Sequence, residues 1–353
     1  MKAGKGWAFA TRAAAAALAV GIAAQCADAC TRIFANDKGG SMLVARSMDW
    51  ATTTEPVLTV LPRGLAHDGG RAGPATVIGD NPLKWTSRYG SVVTTIYGVG
   101  SADGVNERGL AAHMLYFPPA DYGPRDTSRP GLQAALWAQY ALDSSATVNE
   151  ALTLKRIQVV KIEIEKNGQT QHATVHLALE DATGDSAILE VIGGKLVVHH
   201  GRQFQVMTNA PAYDEQLKLL SKRDYKNPTM ETQVPGNVNP RDRFQRATYF
   251  LSVLTKPKTE RAGVAGMFGL IRNVSIPFGA PVNGSTFDTE YRTVSDLTNR
   301  RYYFELTTAP NVIWIDLKKL NFEAGAPVMT LHPDNIDLSG DVTGQFETAV
   351  APF

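Results

Sequence analysis

The chain carries only two cysteines in 353 residues, Cys26 and Cys30, and both sit at the end of a leader-like N-terminus. Lys2, Lys5 and Arg12 make a basic start, followed by an apolar run of 12 residues, Ala13–Ala24. A membrane-spanning helix needs about 20 such residues, so the run has the length of a signal-peptide core rather than of a span. Ala27-Asp28-Ala29 is a small-x-small triplet of the kind signal peptidase accepts. Residues 1–29 are therefore expected to be a signal peptide, and the mature protein to be periplasmic or secreted. Ala27 and Asp28 are poor residues to precede a lipidated cysteine, so no membrane anchor is expected after cleavage. Cutting after Ala29 discards Cys26. The mature chain of more than 300 residues then has no disulfide, and its one thiol is its first residue. A lone thiol in an oxidising compartment is a liability unless it does chemistry.

The rest of the composition is that of an ordinary globular protein. Hydrophobic residues make up 44% and charged residues 20%, which leaves no room for long disorder. Basic and acidic side chains number 35 and 34, so no electrostatic field favours a nucleic acid. Neither a GxxxxGK[ST] loop nor a GxGxxG turn is present, and no cofactor is expected.

Beyond residue 30 the pattern is rich in strands. Thr31–Asn36 and Ser41–Ser47 flank Asp37-Lys38-Gly39-Gly40, which predicts a hairpin. Val57–Leu61, Ser91–Tyr97 and Gly109–Tyr116 read as further strands. Helices are predicted over Gly131–Leu142 and Val148–Ile157, the second capped by Thr147. Strands return at His172–Glu180, Ser186–Ile192, Lys195–His199 and Gln203–Asn209. Helices follow at Tyr213–Lys222, Arg241–Leu254 and Arg261–Ile271, then strands at Tyr291–Asp296, Arg301–Thr307 and Val312–Leu317. Strands and helices come in blocks, which favours an α+β layered architecture over a doubly wound parallel sheet. Gly64–Ala75 and Pro228–Pro240 read as surface loops within one domain, residues 30–353.

A thiol is a good nucleophile only as thiolate. A cysteine at position one carries its own base, because a free α-amine has a pKa of about 7.7–8.0 and accepts a proton near neutral pH. This is the logic of the N-terminal nucleophile hydrolases. Arg46 and Asp49 lie 16 and 19 positions beyond Cys30, where a hairpin returns the chain to its start. Arg46 would favour the thiolate by charge, and Asp49 could orient the amine. A surface ion pair is the competing reading, and spacing alone leaves the two level.

Several separated motifs resemble the choloylglycine hydrolase family of bile-salt hydrolases and penicillin V acylases. They are Cys30-Thr31 with Arg46-Ser47-Met48-Asp49-Trp50, Asp103-Gly104-Val105-Asn106-Glu107-Arg108-Gly109-Leu110, and Met207-Thr208-Asn209-Ala210-Pro211. Arg243-Phe244-Gln245-Arg246 and the stretch from Val294-Ser295-Asp296 to Ile315-Asp316-Leu317 complete the set, which spans roughly residues 30 to 320. The resemblance implies a four-layer αββα sandwich. It further implies catalytic roles for Cys30, Arg46, Asp49, Asn209 and Arg243. Asn209 and a backbone N–H near Tyr116 would form the oxyanion hole, and Arg243 would support the charge beside the nucleophile. Read without the family, Asn209 is a turn opener before Ala-Pro, and Arg243 competes by position with Arg241 and Arg246. Asp103 and Asn106 read first as a turn, with Gly104 or Asn106 taking unusual backbone angles. His113 reads as a core or wall residue. His199-His200 reads as a surface pair, with no ligand set for a metal nearby.

Met48, Trp50, Trp85 and Tyr116 are candidates to line an acyl pocket, each with core packing as the alternative. In the family, an aromatic residue at the Tyr116 position looks like the penicillin V acylases, where bile-salt hydrolases commonly have asparagine. Asn209 and Arg243 are only 34 positions apart, which resembles the compact Gram-negative branch. That branch cleaves phenoxyacetyl penicillins and long-chain acyl-homoserine lactones. The expected partner is thus a small acyl amide, with no nucleic acid, and the resemblance implies a homotetramer. A bile-salt hydrolase and an inactive exported binding protein are the alternatives.

Overall fold

A computed structural model describes residues 30–36, 40–154, 156–161, 163–166, 169–172, 174–282 and 285–353. Residues 1–29, where a leader and its cleavage triplet are expected, and most of the predicted first hairpin turn lie outside the described residues. The chain begins with β1 (Cys30–Ala35), β2 (Leu43–Trp50), β3 (Val57–Leu61), β4 (Ser91–Ile96), β5 (Gly100–Asn106) and β6 (Leu110–Tyr116). Helices α1 (Trp137–Ser144) and α2 (Val148–Leu152) precede β7 (Val175–Asp181), β8 (Ser186–Ile192), β9 (Lys195–His200) and β10 (Val206–Met207). Three helices come next: α3 (Tyr213–Leu220), α4 (Pro240–Val253) and α5 (Glu260–Asn273). The chain returns to strands with β11 (Asp288–Asp296), β12 (Arg301–Leu306), β13 (Ile313–Asp316), β14 (Val328–Leu331), β15 (Gly340–Asp341) and β16 (Glu347–Ala349).

A seven-stranded sheet runs β10-β1-β2-β11-β12-β13-β15, and a nine-stranded sheet runs β9-β8-β7-β6-β5-β4-β3-β14-β16. Neighbours are antiparallel except β13 and β15. The sheets stack face to face. Helices α4 and α5 cover the outer side of the first, with α3 against α4, and α1 and α2 cover the outer side of the second. The result is the four-layer αββα sandwich that the family resemblance implies. Along β7 the period of two is plain: Ala178 lies in the core between the sheets, while Leu177 and Leu179 join Trp137, Ala138 and Ala141 of α1. In β1 and β2 nearly every residue is buried, because both faces of that sheet are covered.

Three sequence expectations are corrected. Gly131–Gln133 is not helix but a short strand parallel to Gln158–Val160, and a 3-10 turn leads from it into α1. Thr147 does cap α2, accepting from Glu150 N at 3.2 Å, but the helix ends at Leu152 rather than at Ile157. Asp103 and Gly104 lie inside β5 rather than in a turn, and the positive φ belongs to Gly109, at +84°. Glycine at 104 is what allows β5 into the middle of the sheet, since a Cβ there would meet Val92 O at 2.5 Å. Weak strand-formers hid a central strand.

Trp85 belongs to the layer under α1. Its ring stacks on His67 at 4.9 Å and meets Tyr140 edge-on, and its Nε1 donates to Asp143 Oδ2 at 2.8 Å. Burial pushes Asp143 up to about 7 from 3.8, although Trp85 and Gln139 act to lower it. The folded protein thus keeps a proton that the unfolded chain releases near 3.8, and this contribution to stability is lost as pH rises through about 7. The melting temperature of the wild type is expected to fall more between about pH 5 and about pH 8 than that of Asp143→Asn. Calorimetry at both pH values checks this, and parallel curves would show that Asp143 does not titrate there.

Candidate active site

Cys30 opens β1 directly opposite Met48 on β2, and Arg32 faces Arg46 two residues further on. By the strand period these four side chains share the face toward the nine-stranded sheet, whereas Thr31 and Ser47 point toward α4. A bulge between Met48 and Asp49 shifts the register, so that Asp49 pairs with Thr289 of β11. Bulges re-aim side chains, and this one lets the end of β2 serve both faces at once.

The thiol sulfur lies 4.0 Å from Arg46 Nη2, 3.8 Å from Met48 Sδ and 3.9 Å from the Asp49 carbonyl oxygen. Arg46 is held by donating to Tyr291 Oη at 2.7 Å and to the Met114 carbonyl at 3.2 Å. On the other face, Arg243 from the first turn of α4 donates to the Cys30 carbonyl and to Thr31 Oγ1, both at 2.6 Å, and to Asn209 Oδ1 at 2.8 Å. Arg46, Asp49 and Arg243 are all fully buried. The Asp49 carboxylate accepts from Ser47 Oγ at 3.1 Å and from Thr289 Oγ1. It does not take the Cys30 nitrogen; that N–H donates instead to Asn209 Oδ1 at 2.7 Å.

Asn209 sits at the centre of this arrangement. Its Oδ1 accepts from Cys30 N and Arg243, while its Nδ2 donates to the Tyr116 carbonyl at 2.7 Å, so the amide orientation is set by its partners. The ladder between β6 and β7 also orients Tyr116. Phe117 N bonds Thr174 O at 2.8 Å, and alternation therefore turns the Tyr116 N–H away from that ladder. Asn209 thus joins the Cys30 nitrogen on its Oδ1 side to the Tyr116 carbonyl on its Nδ2 side.

Burial pushes the Cys30 thiol up, with Arg46 acting in the opposite direction. Burial likewise raises the Asp49 carboxyl, against Arg243 and the Thr289 and Ser47 hydroxyls. A thiol in such surroundings needs a proton acceptor at hand before it can attack.

The comparisons with known proteins bear on this geometry. Residues 30–336 match the model of "linear amide C-N hydrolases, choloylglycine hydrolase family". A penicillin V acylase of Pectobacterium atrosepticum is 38% identical, over 92% of this chain and 91% of that protein. The chain belongs to the choloylglycine hydrolase family. It is a hydrolase of carbon–nitrogen bonds in linear amides. The solved penicillin V acylase of Agrobacterium tumefaciens has a TM-score of 0.80 at 39% identity, covering 92% of this chain and 98% of that one. A bile salt hydrolase/transferase of Clostridium perfringens is 25% identical over 83% of this chain and 94% of that protein. A mutant conjugated bile acid hydrolase of the same species, at 22% identity and a TM-score of 0.72, covers 88% of this chain and 98% of that one and shares the fold.

In this choloylglycine hydrolase family member a largely apolar cavity opens over the thiol. It is lined by Cys30, Arg46, Met48, Trp50, Met114 and Tyr116, among others. Trp50 and Tyr116 meet edge-on with ring centroids 5.2 Å apart, forming one wall. Three of the four expected pocket residues are therefore here. Trp85, in the layer under α1, is not. Ile96, Tyr97, Val99, Ala102, Ala135 and Val175 also line the cavity, and nothing in the sequence pattern separates them from core. Of the three arginines on α4, Arg243 alone reaches the thiol's strand; Arg246 donates to the Pro235, Asn237 and Asn273 carbonyls, and Arg241 is exposed. His199 and His200 approach different carboxylates, Asp214 at 3.9 Å and Asp185 at 2.8 Å.

Proposed function

We propose that residues 1–29 are removed on export and that Cys30, then the first residue, is the nucleophile of a penicillin V acylase-like amidase. The observation that carries this reading is the convergence on Cys30 alone: its sulfur faces an apolar cavity 4.0 Å from Arg46, and its nitrogen is held by Asn209 at 2.7 Å. On cleavage the peptide N–H becomes an α-amine at the same place. The amine takes the thiol proton, and sulfur attacks the amide carbonyl. Negative charge collects on the carbonyl oxygen, toward Asn209 Nδ2 and the Tyr116 N–H. The C–N bond breaks as the ammonium returns the proton to the leaving nitrogen, leaving a thioester. Water, deprotonated by the amine, then splits the thioester into acid and free thiol. Asn209 and Arg243 hold the terminal residue in place, Arg243 through the Cys30 carbonyl, and the Asp49 main-chain carbonyl lies 3.9 Å from the sulfur.

The acyl group enters the cavity of Met48, Trp50 and Tyr116, which suits an aryl or long alkyl chain rather than a steroid. On the other side of Trp50 and Thr289 lies an open cleft with Glu55, Asp288, Glu290 and Asp334, and among its described lining residues no lysine or arginine. The leaving amine faces that cleft, so an anionic amine such as glycine or taurine meets like charge. Penicillin V and long-chain acyl-homoserine lactones are the expected substrates, and the lactones are favoured of the two, because their leaving amine carries no carboxylate whereas that of penicillin V does. Purified mature protein is incubated with penicillin V, an acyl-homoserine lactone, the ring-opened form of that lactone and a conjugated bile salt, and product release and intact mass are followed. A mature chain starting at Cys30, acylated there, with the lactone turned over faster than its ring-opened acid, is expected. A chain that begins before Cys30, or a bile salt as the fastest substrate, overturns the reading.

A further inference from the structure

Arg46 has a second buried arginine beside it. Arg32 lies directly opposite in the β1–β2 ladder, and both guanidinium groups are shut off from solvent. Like charges facing one another across a strand pair repel, and a buried ion without a counter-charge is costly. The facing sheet answers with a row of ionisable groups. Asp103 of β5 places Oδ2 4.0 Å from Arg46 Nε, and Glu180 of β7 places Oε2 2.5 Å from Arg32 Nη2. His113 of β6 stands between the two carboxylates, with Nε2 2.5 Å from Glu180 Oε1 and Nδ1 3.6 Å from Asp103 Oδ2. Thr293 donates to Asp103 Oδ2 at 2.7 Å, and Tyr302 donates to Oδ1. Basic and acidic groups thus alternate in a line, Arg46, Asp103, His113, Glu180, Arg32, from the thiol into the space between the sheets. Asp103, His113 and Glu180 are all buried, and none of them lines the cavity over Cys30.

We propose that Asp103 and a cationic His113 are positioning residues for Cys30, acting through Arg46: the carboxylate draws off part of the guanidinium's field at the sulfur, and the imidazolium gives part of it back. The inference rests on Cys30 being the nucleophile. Burial acts to lower His113, but Glu180 and Asp103 outweigh it and hold the imidazole above its ordinary value. Burial acts to raise Asp103, and His113, Arg46 and Tyr302 outweigh it in turn. The groups facing His113 are Asp103 and Glu180, with Arg46, Arg32 and Tyr302 behind them. Those facing the thiol are Arg46, Asp49 and Arg243. The row gives the thiol a set point: enough field for the amine to deprotonate it during turnover, and not so much that it rests as a thiolate.

The test uses Asp103→Asn and His113→Gln in the mature enzyme, with Cys30 alkylation by iodoacetamide followed from about pH 6 to about pH 11, a range that brackets a thiol raised above its ordinary value. In Asp103→Asn the midpoint of alkylation is expected to fall by about one unit, a roughly tenfold gain in thiolate on the acidic side. In His113→Gln it is expected to rise by about half a unit, a roughly threefold loss. A site merely loosened by substitution admits water and moves both midpoints down. Opposite signs therefore distinguish tuning from damage, and shifts of the same sign, or none, overturn the inference. If Asp103→Asn does not fold, the rise in His113→Gln decides alone, and a fall or no change sinks it. Wild-type enzyme serves as the control: hydrolysis that survives complete labelling of Cys30 would refute the nucleophile itself, whereas inactivation without a split of midpoints refutes only the role of Asp103 and His113.

Discussion

Replacement of Cys30 by serine or alanine is expected to lower kcat/KM for every amide substrate by at least about 10³-fold while leaving the melting temperature within about 2 °C. On the proposed mechanism the loss in the alanine variant is simple, since no nucleophile remains. The serine variant is the sharper case. A hydroxyl keeps the volume and the N-terminal amine, but its proton is far harder to remove than a thiol's, and the amine is too weak a base to compensate. Arg46 makes this worse. Its guanidinium faces the sulfur over a 4.0 Å contact suited to a large, diffuse thiolate, with Met48 Sδ beside it at 3.4 Å. The side chain of Cys30 is small and buried among residues that stay in place, so little stability is at stake. Steady-state kinetics with thermal melts decide the matter. Hydrolysis retained within tenfold by the alanine variant, with the same products, would place the nucleophile elsewhere.

How far the sequence reaches is clearest at particular residues. The hairpin that returns β2 to β1 is legible from its turn residues, and with it the approach of Arg46 to Cys30. The contact of Asn209 with Cys30 is not, because the two are 179 positions apart and meet through a two-residue strand, β10, which is too short to show a period. Only the family motif pointed there. Asp103 shows the opposite failure. Aspartate and glycine disfavour strands, so a D-G-x-N run reads as a turn; in the fold it is a central strand, stabilised by Arg46, Tyr302 and Thr293 from the facing sheet. Local propensity loses to tertiary pairing there. The residues with the largest role in the buried charge row are those whose local signal was weakest. Trp85 was a pocket candidate by residue type alone, and its partner Asp143, a buried carboxyl on α1, carried no signal that would have drawn it away.

Asn209 is the position at which structure and chemistry are most tightly joined, and its substitutions separate two jobs. Its Oδ1 receives the Cys30 nitrogen and Arg243, and its Nδ2 donates to the Tyr116 carbonyl and, in the proposed mechanism, to the oxyanion. Asn209→Ala removes both, and a loss of about 10²–10³ in kcat is expected from the missing donor alone. It also leaves Arg243, buried and bonded to Cys30 and Thr31, short of one acceptor, so some loss of stability accompanies it. Asn209→Asp is the more telling variant. An aspartate keeps the acceptor for the amine and strengthens the contact with Arg243, so the terminal residue stays in place. It has no N–H to offer, and its charge opposes the oxyanion and the Tyr116 carbonyl. If Asn209 served only to hold Cys30, the aspartate variant would keep most of the activity. If it stabilises the transition state, the aspartate variant is expected to fold as well as wild type, bind substrate with a KM changed by no more than about threefold, and lose at least as much kcat as the alanine variant. Comparing kcat and KM for the two variants reads the answer directly: an active aspartate enzyme would take Asn209 out of the oxyanion hole and leave the Tyr116 N–H as its only proposed donor.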